Sequence, residues 1–224
     1  MPEVPAPSTR PLILIGDSAF AEVAFQYFSH DSPYEVVAFS VERAHIKRET
    51  LFDRPIVPFE TLEERYDPAS HAFFAAMVYT DRNRLRTRIY ESAKAKGYTP
   101  ASYISARAMV WPGASVGEHC FIFEHNVVQP FTSIGNNVIL WSGNHIGHHS
   151  SIGDHCFVAS HVVVSGFVQV GDSCFLGINA SIGNNLSIGA NSIIGAGALV
   201  LRDVPAGKTV SGVWRPQTDP PATP

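Results

Sequence analysis

The sequence is poor in charge and has no long run of like-charged residues. Only 16% of its 224 residues are charged, and 16 basic against 20 acidic side chains leave a net charge of −4. Such a balance gives no general attraction to nucleic acid or to an anionic membrane. We therefore expect neither of them as a partner.

Long apolar segments and cysteine pairs are missing as well. The N-terminus lacks a basic flank followed by a long apolar region, and its first apolar run, Leu12 to Ile15, is far too short for a signal peptide or a membrane span. This predicts a cytoplasmic protein. Cys120, Cys156 and Cys174 are odd in number and form no CxxC pair, which argues against a disulfide framework or a zinc knuckle.

The chain divides into two parts of different pattern. Residues 12–103 alternate short apolar segments with helix-like segments at 19–28, 60–66 and 81–97. This order predicts a small Rossmann-like α/β domain, a parallel sheet covered by helices. The proline-rich ends predict a flexible tail at 1–11 and a C-terminal extension with a tail at 206–224.

Ligands of such sheets usually lie at the carboxyl ends of the strands, here in the loop from Gly16 to Phe20. The loop has a single glycine before the helix rather than GxGxxG. A dinucleotide site is therefore poorly supported, and the loop alone is typical of an ordinary strand-to-helix turn.

From residue 104 the pattern changes to a six-residue repeat. An aliphatic residue stands at every sixth position from Ile104 to Val200, seventeen times without interruption. The repeat predicts a parallel β-helix over residues 104–205, in which three hexads form one triangular coil and residues eighteen apart stack at about 4.8 Å. All three cysteines fall in an inward-facing slot of this frame, where they would be small core residues.

The same frame places most histidines at corners of the prism. His119 and His155 share one corner column, and we expect them to be exposed polar corner residues. His148 and His149 stand together at another corner, in the middle of the stack.

The sequence resembles the sialic acid O-acetyltransferase and nucleotide-amino-sugar N-acetyltransferase family. The resemblance runs from ILIGDSAF to GAGALVLRDVPAG and is most specific at IGHHSSIGD, residues 146–154, and at CFLGIN, residues 174–179. It implies a small N-terminal α/β domain followed by a left-handed β-helix of hexapeptide repeats. It also implies a homotrimer that binds acetyl-CoA between subunits and a small-molecule sugar or sugar-nucleotide substrate, with no metal.

The resemblance places the general base at His148. A sugar amine or hydroxyl must lose a proton as it attacks the thioester, and an imidazole accepts that proton at neutral pH. The family has an acidic residue directly after this histidine, and His149 stands there instead. Both histidines are counted as catalytic. The partner that orients His148 is left open among Asp154, Glu124 and a residue of another subunit.

Further site residues follow from the same resemblance. Phe157, Ile178 and Ala196 match acetyl-CoA contacts, and we add the corner glycine Gly166. Cations suit CoA phosphates, which makes Lys208 and Arg215 candidates, with a solvated basic end as the alternative. On the substrate side, the family's Gly-Gly-His-like loop is matched by Ser18, Ala19 and Phe20, and its Asp-Asp by Ser40 and Val41.

Other functions remain open at this point. An O-acetyltransferase of sialic acid or another glycan hydroxyl is the alternative to acetylation of an amino group on a nucleotide-linked amino-deoxy sugar. A zinc enzyme of the γ-carbonic anhydrase type could use His119 with His155 or His125 with His161, but Ser160 and Gly166 stand where the third ligand should be. A β-helix that serves only as a trimeric scaffold is the non-enzymatic possibility.

Overall fold

A computed structural model describes residues 11–215; the predicted N-terminal tail and the last part of the C-terminal tail lie almost entirely outside this range. The chain begins with an α/β domain built on a six-stranded sheet of order β3-β4-β2-β1-β5-β6, in which only the β3–β4 pair is antiparallel. Its elements are β1 (Leu12–Ile15), α1 (Ala19–His30), β2 (Val36–Val41), β3 (Thr50–Leu51), β4 (Arg54–Pro58), β5 (Ala72–Ala75), α2 (Arg84–Ala95) and β6 (Thr99–Pro100), with 3-10 helices at Arg43–His45 and Phe59–Glu64.

The central strands explain why this sheet carries a helix on each face. Leu12 and Leu14 of β1 pack in one apolar cluster with residues of α1, while Ile13 and Ile15 pack in another with residues of α2. Every residue of β1 and β5 is buried. Because successive side chains of a strand point to opposite faces, such continuously apolar strands need cover on both sides. The helix-like segment at 60–66 folds as the 3-10 helix, interrupted at Thr61.

The second half is a left-handed parallel β-helix of hexapeptide repeats, as the sequence predicts. Within residues 11–215 it contains nineteen strands of two residues each, arranged in three sheets. In chain order they are β7 (Tyr103–Ile104), β8 (Met109–Val110), β9 (Ser115–Val116), β10 (Phe121–Ile122), β11 (Val127–Val128), β12 (Ser133–Ile134), β13 (Ile139–Leu140), β14 (His145–Ile146), β15 (Ser151–Ile152), β16 (Phe157–Val158), β17 (Val163–Val164), β18 (Gln169–Val170), β19 (Phe175–Leu176), β20 (Ser181–Ile182), β21 (Ser187–Ile188), β22 (Ile193–Ile194), β23 (Leu199–Val200), β24 (Thr209–Val210) and β25 (Val213–Trp214).

The register of the strands confirms the eighteen-residue coil. Val128 pairs with Ile146, and Ile134 pairs with Ile152. The second residue of each strand points into the prism, so the aliphatic repeat forms its core. The coils contain fewer residues at the C-terminal end, where Thr209 pairs with Ile193 and Val213 pairs with Leu199. The last two strands therefore belong to the prism although the hexad spacing no longer marks them.

The first residue of each strand points outward, and the three faces of the prism differ. The domain-covered face presents Tyr103, Phe121, Ile139, Phe157, Phe175, Ile193 and Thr209, of which the first four are at most 7% exposed. The apolar face presents Met109, Val127, His145, Val163, Ser181, Leu199 and Val213. The serine–glycine face presents Ser115, Ser133, Ser151, Gln169 and Ser187, and a glycine directly follows each of its five strands.

The three cysteines are core residues of the prism, as predicted. Each is free and fully buried. Their thiols donate to carbonyl oxygens one coil further on, from Cys120 to Gly135 at 3.1 Å and from Cys156 to Gly171 at 3.2 Å. Burial raises the pKa of the Cys120 thiol to about 12, so it is not a nucleophile at neutral pH.

The prediction that His119 is an exposed corner residue is wrong. Its side chain is fully buried between the rings of Phe74 and Tyr90, with ring centroids 4.6 and 4.9 Å away. The backbone N–H of Ala75 donates to His119 Nε2 at 2.8 Å, and His119 Nδ1 donates to Asn137 Oδ1 at 2.9 Å. The α/β domain covers this corner of the prism, which the repeat alone does not reveal.

Arg86 of α2 completes this junction between the two parts. It is 1% exposed and donates to the backbone carbonyls of Asn137 at 2.9 Å, His155 at 3.0 Å and Cys156 at 3.1 Å. Burial lowers its pKa to about 10, which leaves the guanidinium charged at neutral pH.

Among the described residues, no helix combines the length and apolar character needed to cross a membrane. The cytoplasmic location stays a prediction.

Candidate active site

His148 and His149 lie at the corner between β14 and β15, where the apolar face meets the serine–glycine face. Both side chains are exposed. Their Nδ1 atoms are 3.1 Å apart, so one ring donates a hydrogen bond to the other. The backbone N–H of His148 donates to Gln129 Oε1 at 2.9 Å, which fixes the start of the turn. The prism thus presents an accessible imidazole on a rigid corner.

Gly166 supports the ring of His148 from the next coil. A Cβ atom at Gly166 would lie 2.7 Å from His148 Cε1 and 2.9 Å from Nε2, closer than side-chain atoms approach one another. The imidazole therefore rests directly on the glycine backbone. Position 166 is eighteen residues after 148, so the repeat stacks the glycine directly against the histidine.

His149 belongs to an aromatic ladder, which we define as the column of rings formed by Phe131, His149 and Phe167. The His149 centroid is 4.7 Å from Phe131 and 4.8 Å from Phe167. All three residues have positive φ, between 57° and 63°, at equivalent corners of successive coils. The edge of His148 also packs on Phe167 at 5.2 Å. The sequence interpretation missed both phenylalanines, although their spacing of eighteen from residue 149 marks them.

The two carboxylates considered as partners of His148 are engaged elsewhere. Asp154 Oδ1 accepts the backbone N–H of Asn136 at 2.7 Å. Glu124 accepts hydrogen bonds from Tyr27 at 2.9 Å and from Ser142 at 2.7 Å. The imidazole that contacts His148 within the chain is that of His149.

The residues predicted to bind acetyl-CoA are spread over the prism. Ile178, 52% exposed, and Ala196 lie at the corner between the domain-covered face and the apolar face. Phe157 is 7% exposed and packs against Tyr79 and Phe175, so its ring is covered by the chain itself. A single chain therefore does not bring these residues to His148, which lies at the opposite edge of the apolar face.

The predicted cations stand near the C-terminal end of the prism. Lys208 Nζ lies 5.6 Å from the centre of the Trp214 ring, and the guanidinium of Arg202 lies 4.1 Å from it. Arg215, the last described residue, is exposed. Trp214 holds its place by donating from Nε1 to the carbonyl of Asp203 at 3.1 Å. Sequence reasoning did not identify Arg202 as part of this group.

A cavity of about 340 Å³ opens at the carboxyl ends of β1, β2 and β5, where the sheet rule places a ligand. Ser18 and Val41 line it, and Ala19 is exposed at the start of α1.

Two other predicted substrate residues are buried. Phe20 is 2% exposed and packs on Phe121 and Trp141. Ser40 is fully buried, and its Oγ has no hydrogen-bond partner among the described residues. The side chains of Phe20 and Ser40 thus point away from the cavity.

Charged residues that sequence reasoning missed surround this cavity. Arg88 of α2 donates to both carboxylate oxygens of Glu42 at 2.9 Å, and these hydrogen bonds lower the pKa of Glu42. His45 and Asp17 also line the opening. The floor is apolar, with Ile15 among its residues. A signal was present in the sequence, because Glu42 comes just after an apolar strand, at the edge where ligands of such sheets lie.

Comparison with known proteins supports the interpretation of both halves. Residues 131–166 and 167–202 match the family described as bacterial transferase hexapeptide (six repeats). The matched segments cover residues 131–202 of the β-helix. A sequence search of curated proteins finds no match.

Solved structures match the whole fold, including the α/β domain. A perosamine N-acetyltransferase from Caulobacter crescentus, solved as a point mutant with CoA and GDP-perosamine, is 25% identical, with a TM-score of 0.81 over 89% of this chain and 92% of that one. The acetyltransferase domain of PglB from Neisseria gonorrhoeae is 22% identical, with a TM-score of 0.80 over 91% of this chain and 97% of that one. WeeI from Acinetobacter baumannii is 22% identical, with a TM-score of 0.69 over 90% and 96%. The predicted resemblance to hexapeptide-repeat sugar acetyltransferases is thereby confirmed.

Proposed function

We propose that this protein is an acetyl-CoA-dependent acetyltransferase that acts on a sugar, with His148 as general base. The observation that carries the proposal is the fold match across both domains to an enzyme crystallised with CoA and GDP-perosamine. The exposed imidazole of His148 at a mid-stack corner supplies the chemical group that the reaction needs.

The chemistry is a direct transfer between two bound molecules. The lone pair of a sugar amine attacks the thioester carbonyl, and His148 Nε2 takes the proton that the amine loses. The tetrahedral intermediate then collapses, the carbon–sulfur bond breaks, and the proton passes to the CoA thiolate. A positioned general base contributes about 10²–10⁴-fold to such a reaction. No covalent bond to the protein forms at any step.

The substrate we propose is an amino-deoxy sugar linked to a nucleotide. The cavity at the end of the sheet combines an apolar floor with a rim that carries Glu42, His45 and Arg88. An apolar floor suits a flat base, carboxylates suit sugar hydroxyls, and cations suit phosphates. Because Ser40 and Phe20 point away from the cavity, Val41 and Ser18 are the predicted substrate residues whose side chains can reach a ligand there.

We further propose a homotrimer whose active sites lie between subunits. The apolar face and its edge expose large apolar side chains that a monomer would leave in water, including Met109 at 54%, Trp111 at 48% and Val213 at 59%. His148 lies at one edge of this face, and Ile178 and Ala196 lie at the other. Packing the face against a second copy is the arrangement in which the base of one subunit meets the cofactor contacts of another.

Acetyl-CoA would lie along this boundary as co-substrate. Exposed Ile178 and the small Ala196 fit backbone contacts to an extended cofactor, and Lys208 or Arg215 fits its phosphates. Phe157 does not fit this role through its side chain, because Tyr79 and Phe175 cover the ring. The zinc alternative loses its first histidine pair, since both ring nitrogens of His119 are engaged in hydrogen bonds.

Release of free CoA from acetyl-CoA in the presence of nucleotide-linked amino sugars tests the proposal. His148→Ala is expected to lower kcat by about 10²–10⁴-fold with a small effect on the KM for acetyl-CoA. The matched variant His30→Ala, at the exposed end of α1, is expected to keep the parent rate. Parent-like turnover of His148→Ala would refute the assignment of the base. Acetylation of a glycan hydroxyl but of no amino sugar would instead favour the O-acetyltransferase.

A further inference from the structure

His149 touches the candidate base through a ring nitrogen, and no other described side chain competes for that contact. Its Nδ1 lies 3.1 Å from His148 Nδ1, with the two rings at 86° to each other. Resting on the proposed function, we propose that His149 is a positioning residue: its neutral imidazole accepts a hydrogen bond from His148 Nδ1 and so keeps His148 Nε2 free of a proton.

The direction of this hydrogen bond decides whether His148 can work as a base. A neutral imidazole carries one proton, on either Nδ1 or Nε2. When His148 donates from Nδ1, the lone pair on Nε2 is free to take a proton from the substrate. When His149 donates instead, His148 Nε2 carries the proton and cannot accept another. Which nitrogen of a histidine is protonated follows from the hydrogen bond that the other nitrogen makes.

The aromatic ladder holds His149 in the orientation that this contact needs. Phe167 stacks on its ring at 4.8 Å and 15°, and the tilted ring of Phe131 lies at 4.7 Å and 37° in the preceding coil. Neighbours on both sides hold the plane of the ring, and the 3.1 Å contact between the two Nδ1 atoms selects the edge that faces His148. His149 therefore presents Nδ1 to His148.

His148 is fixed from the other directions by groups that leave Nε2 available. Its ring rests on the backbone of Gly166 and packs edge-on against Phe167. Gln129 binds the backbone N–H of His148 rather than its ring. The His148 ring therefore contacts a polar side chain at Nδ1. The hydrogen bond from this atom to His149 is the one that sets the tautomer of His148.

Two substitutions of His149 separate this role from simple packing. In His149→Phe the ring stays in the column, because Phe131 and Phe167 show that phenylalanine fits this corner at positive φ, but the acceptor is lost. In His149→Asn the ring is lost, but Oδ1 can take the place of Nδ1 as acceptor. Asparagine also occurs at positive φ in equivalent turns such as Asn137 and Asn185.

The kinetic expectation follows from these differences. His149→Phe lowers kcat by about 10–100-fold, the size typical of removing the partner that orients a functional histidine, while the KM for acetyl-CoA changes little. His149→Asn is more active than His149→Phe, by about tenfold or more. The control Asn191→Phe, which places the same ring at an exposed positive-φ corner outside the apolar face, leaves the rate unchanged. Parent-like activity of His149→Phe, or a lower rate for His149→Asn than for His149→Phe, would overturn the inference.

Nuclear magnetic resonance of protein labelled with ¹⁵N-histidine gives a readout that does not depend on activity. The parent protein is expected to show His148 protonated at Nδ1 and unprotonated at Nε2, and His149→Phe to shift His148 to the Nε2–H form. Finding the Nε2–H form in the parent overturns the inference. If the tautomer is as expected but no acetyl transfer occurs, the proposed function fails and the positioning contact stands.

Discussion

Gly166 has no side chain, and this leaves the space in which the imidazole of His148 lies. Its φ is not in the left-handed region, so alanine is conformationally acceptable, but the added methyl group would lie 2.7 Å from the imidazole of His148. The ring is exposed and can move aside. We expect Gly166→Ala to lower kcat by about tenfold or more through displacement of the base, while the melting temperature changes by only a few degrees.

Gly183 provides the matched control for this prediction. It lies in the corresponding turn one coil further on, one residue before the position equivalent to Gly166, and a Cβ there would lie 3.4 Å or more from its neighbours. Gly183→Ala is therefore expected to leave kcat near the parent value. Equal activity of the two variants in the thioester assay would mean that the ring of His148 does not work from the place where the structure shows it.

The buried His119 links the stability of the protein to pH. Burial, helped by the charge of Arg86, lowers the pKa of His119 to about 3, against about 6.5 in an unfolded chain. Between these values the unfolded state binds a proton that the folded state does not, so stability is complete above pH 6.5 and falls as the pH drops, by about 1.4 kcal/mol per unit. Lowering the pH from about 7.5 to about 5 is expected to cost about 2 kcal/mol from this histidine.

Urea denaturation at several pH values checks this prediction. His119→Phe keeps an aromatic ring between Phe74 and Tyr90 but cannot take up a proton, so its unfolding free energy should lose about 2 kcal/mol of the acid-side dependence. Substituting the exposed His30 by Gln should leave that dependence in place. An unchanged pH slope in His119→Phe would contradict the burial of a neutral His119.

At the residue level, the sequence predicts which side chains point into the prism but not what covers its outside. The hexad spacing identified Cys120, Cys156 and Cys174 correctly as core residues because that slot repeats. It failed for His119, whose burial depends on contacts with Phe74 and Tyr90 in the other domain. Contacts between distant parts of a chain leave no periodic signal, and the engagement of Arg86 with three carbonyls could not be predicted for the same reason.

Helix α2 is the element that fastens the α/β domain to the prism. Its Arg86 inserts a charged group under the helix and satisfies carbonyl oxygens of two neighbouring coils. We expect Arg86→Ala to lower the free energy of unfolding by about 2–4 kcal/mol, because it leaves buried carbonyls without donors and opens a cavity. The measurement is chemical denaturation at neutral pH.

Arg84 lies two residues earlier on the same helix and serves as the control. Its side chain is 72% exposed and lies 3.8 Å from Asp81, a weak surface pair. Arg84→Ala should change stability by no more than about 0.5 kcal/mol. A similar cost for both arginines would show that the loss reflects helix propensity rather than the fastening contact.

Elements were predicted well where a repeat or an alternation specifies them. The sheet strands β1, β2 and β5 and the prism strands up to Val200 follow directly from apolar spacing. The segment Phe59–Glu64 was less predictable, because a short helix over six residues gains little from periodicity and here adopts a 3-10 form. The last strands, β24 and β25, also escaped the hexad rule because their coils are shorter.

At the scale of the whole molecule, the prism has one covered, one apolar and one polar face, and the proposed trimer packs through the apolar one. We expect the parent protein to behave as a trimer in size-exclusion chromatography with light scattering. Val163→Arg, on the apolar face, should weaken association by more than about 100-fold, because an unpaired charge would be buried between subunits. Ser133→Arg, on the serine–glycine face, should leave the trimer intact. A Val163→Arg protein that remains trimeric would exclude this face from the subunit interface.

Each complete eighteen-residue coil adds the same length to the prism along its axis. Hydrogen-bonded pairs eighteen residues apart, such as Asn136 with Asp154, recur from one coil to the next at a rise of about 4.8 Å. Inserting one complete coil after residue 184 would move Trp214 and its flanking cations away from His148 by the rise of one coil. The local contacts of His148 and of Trp214 would stay the same. The number of coils between His148 and these cations, rather than any single side chain, therefore sets how long a ligand must be to contact both.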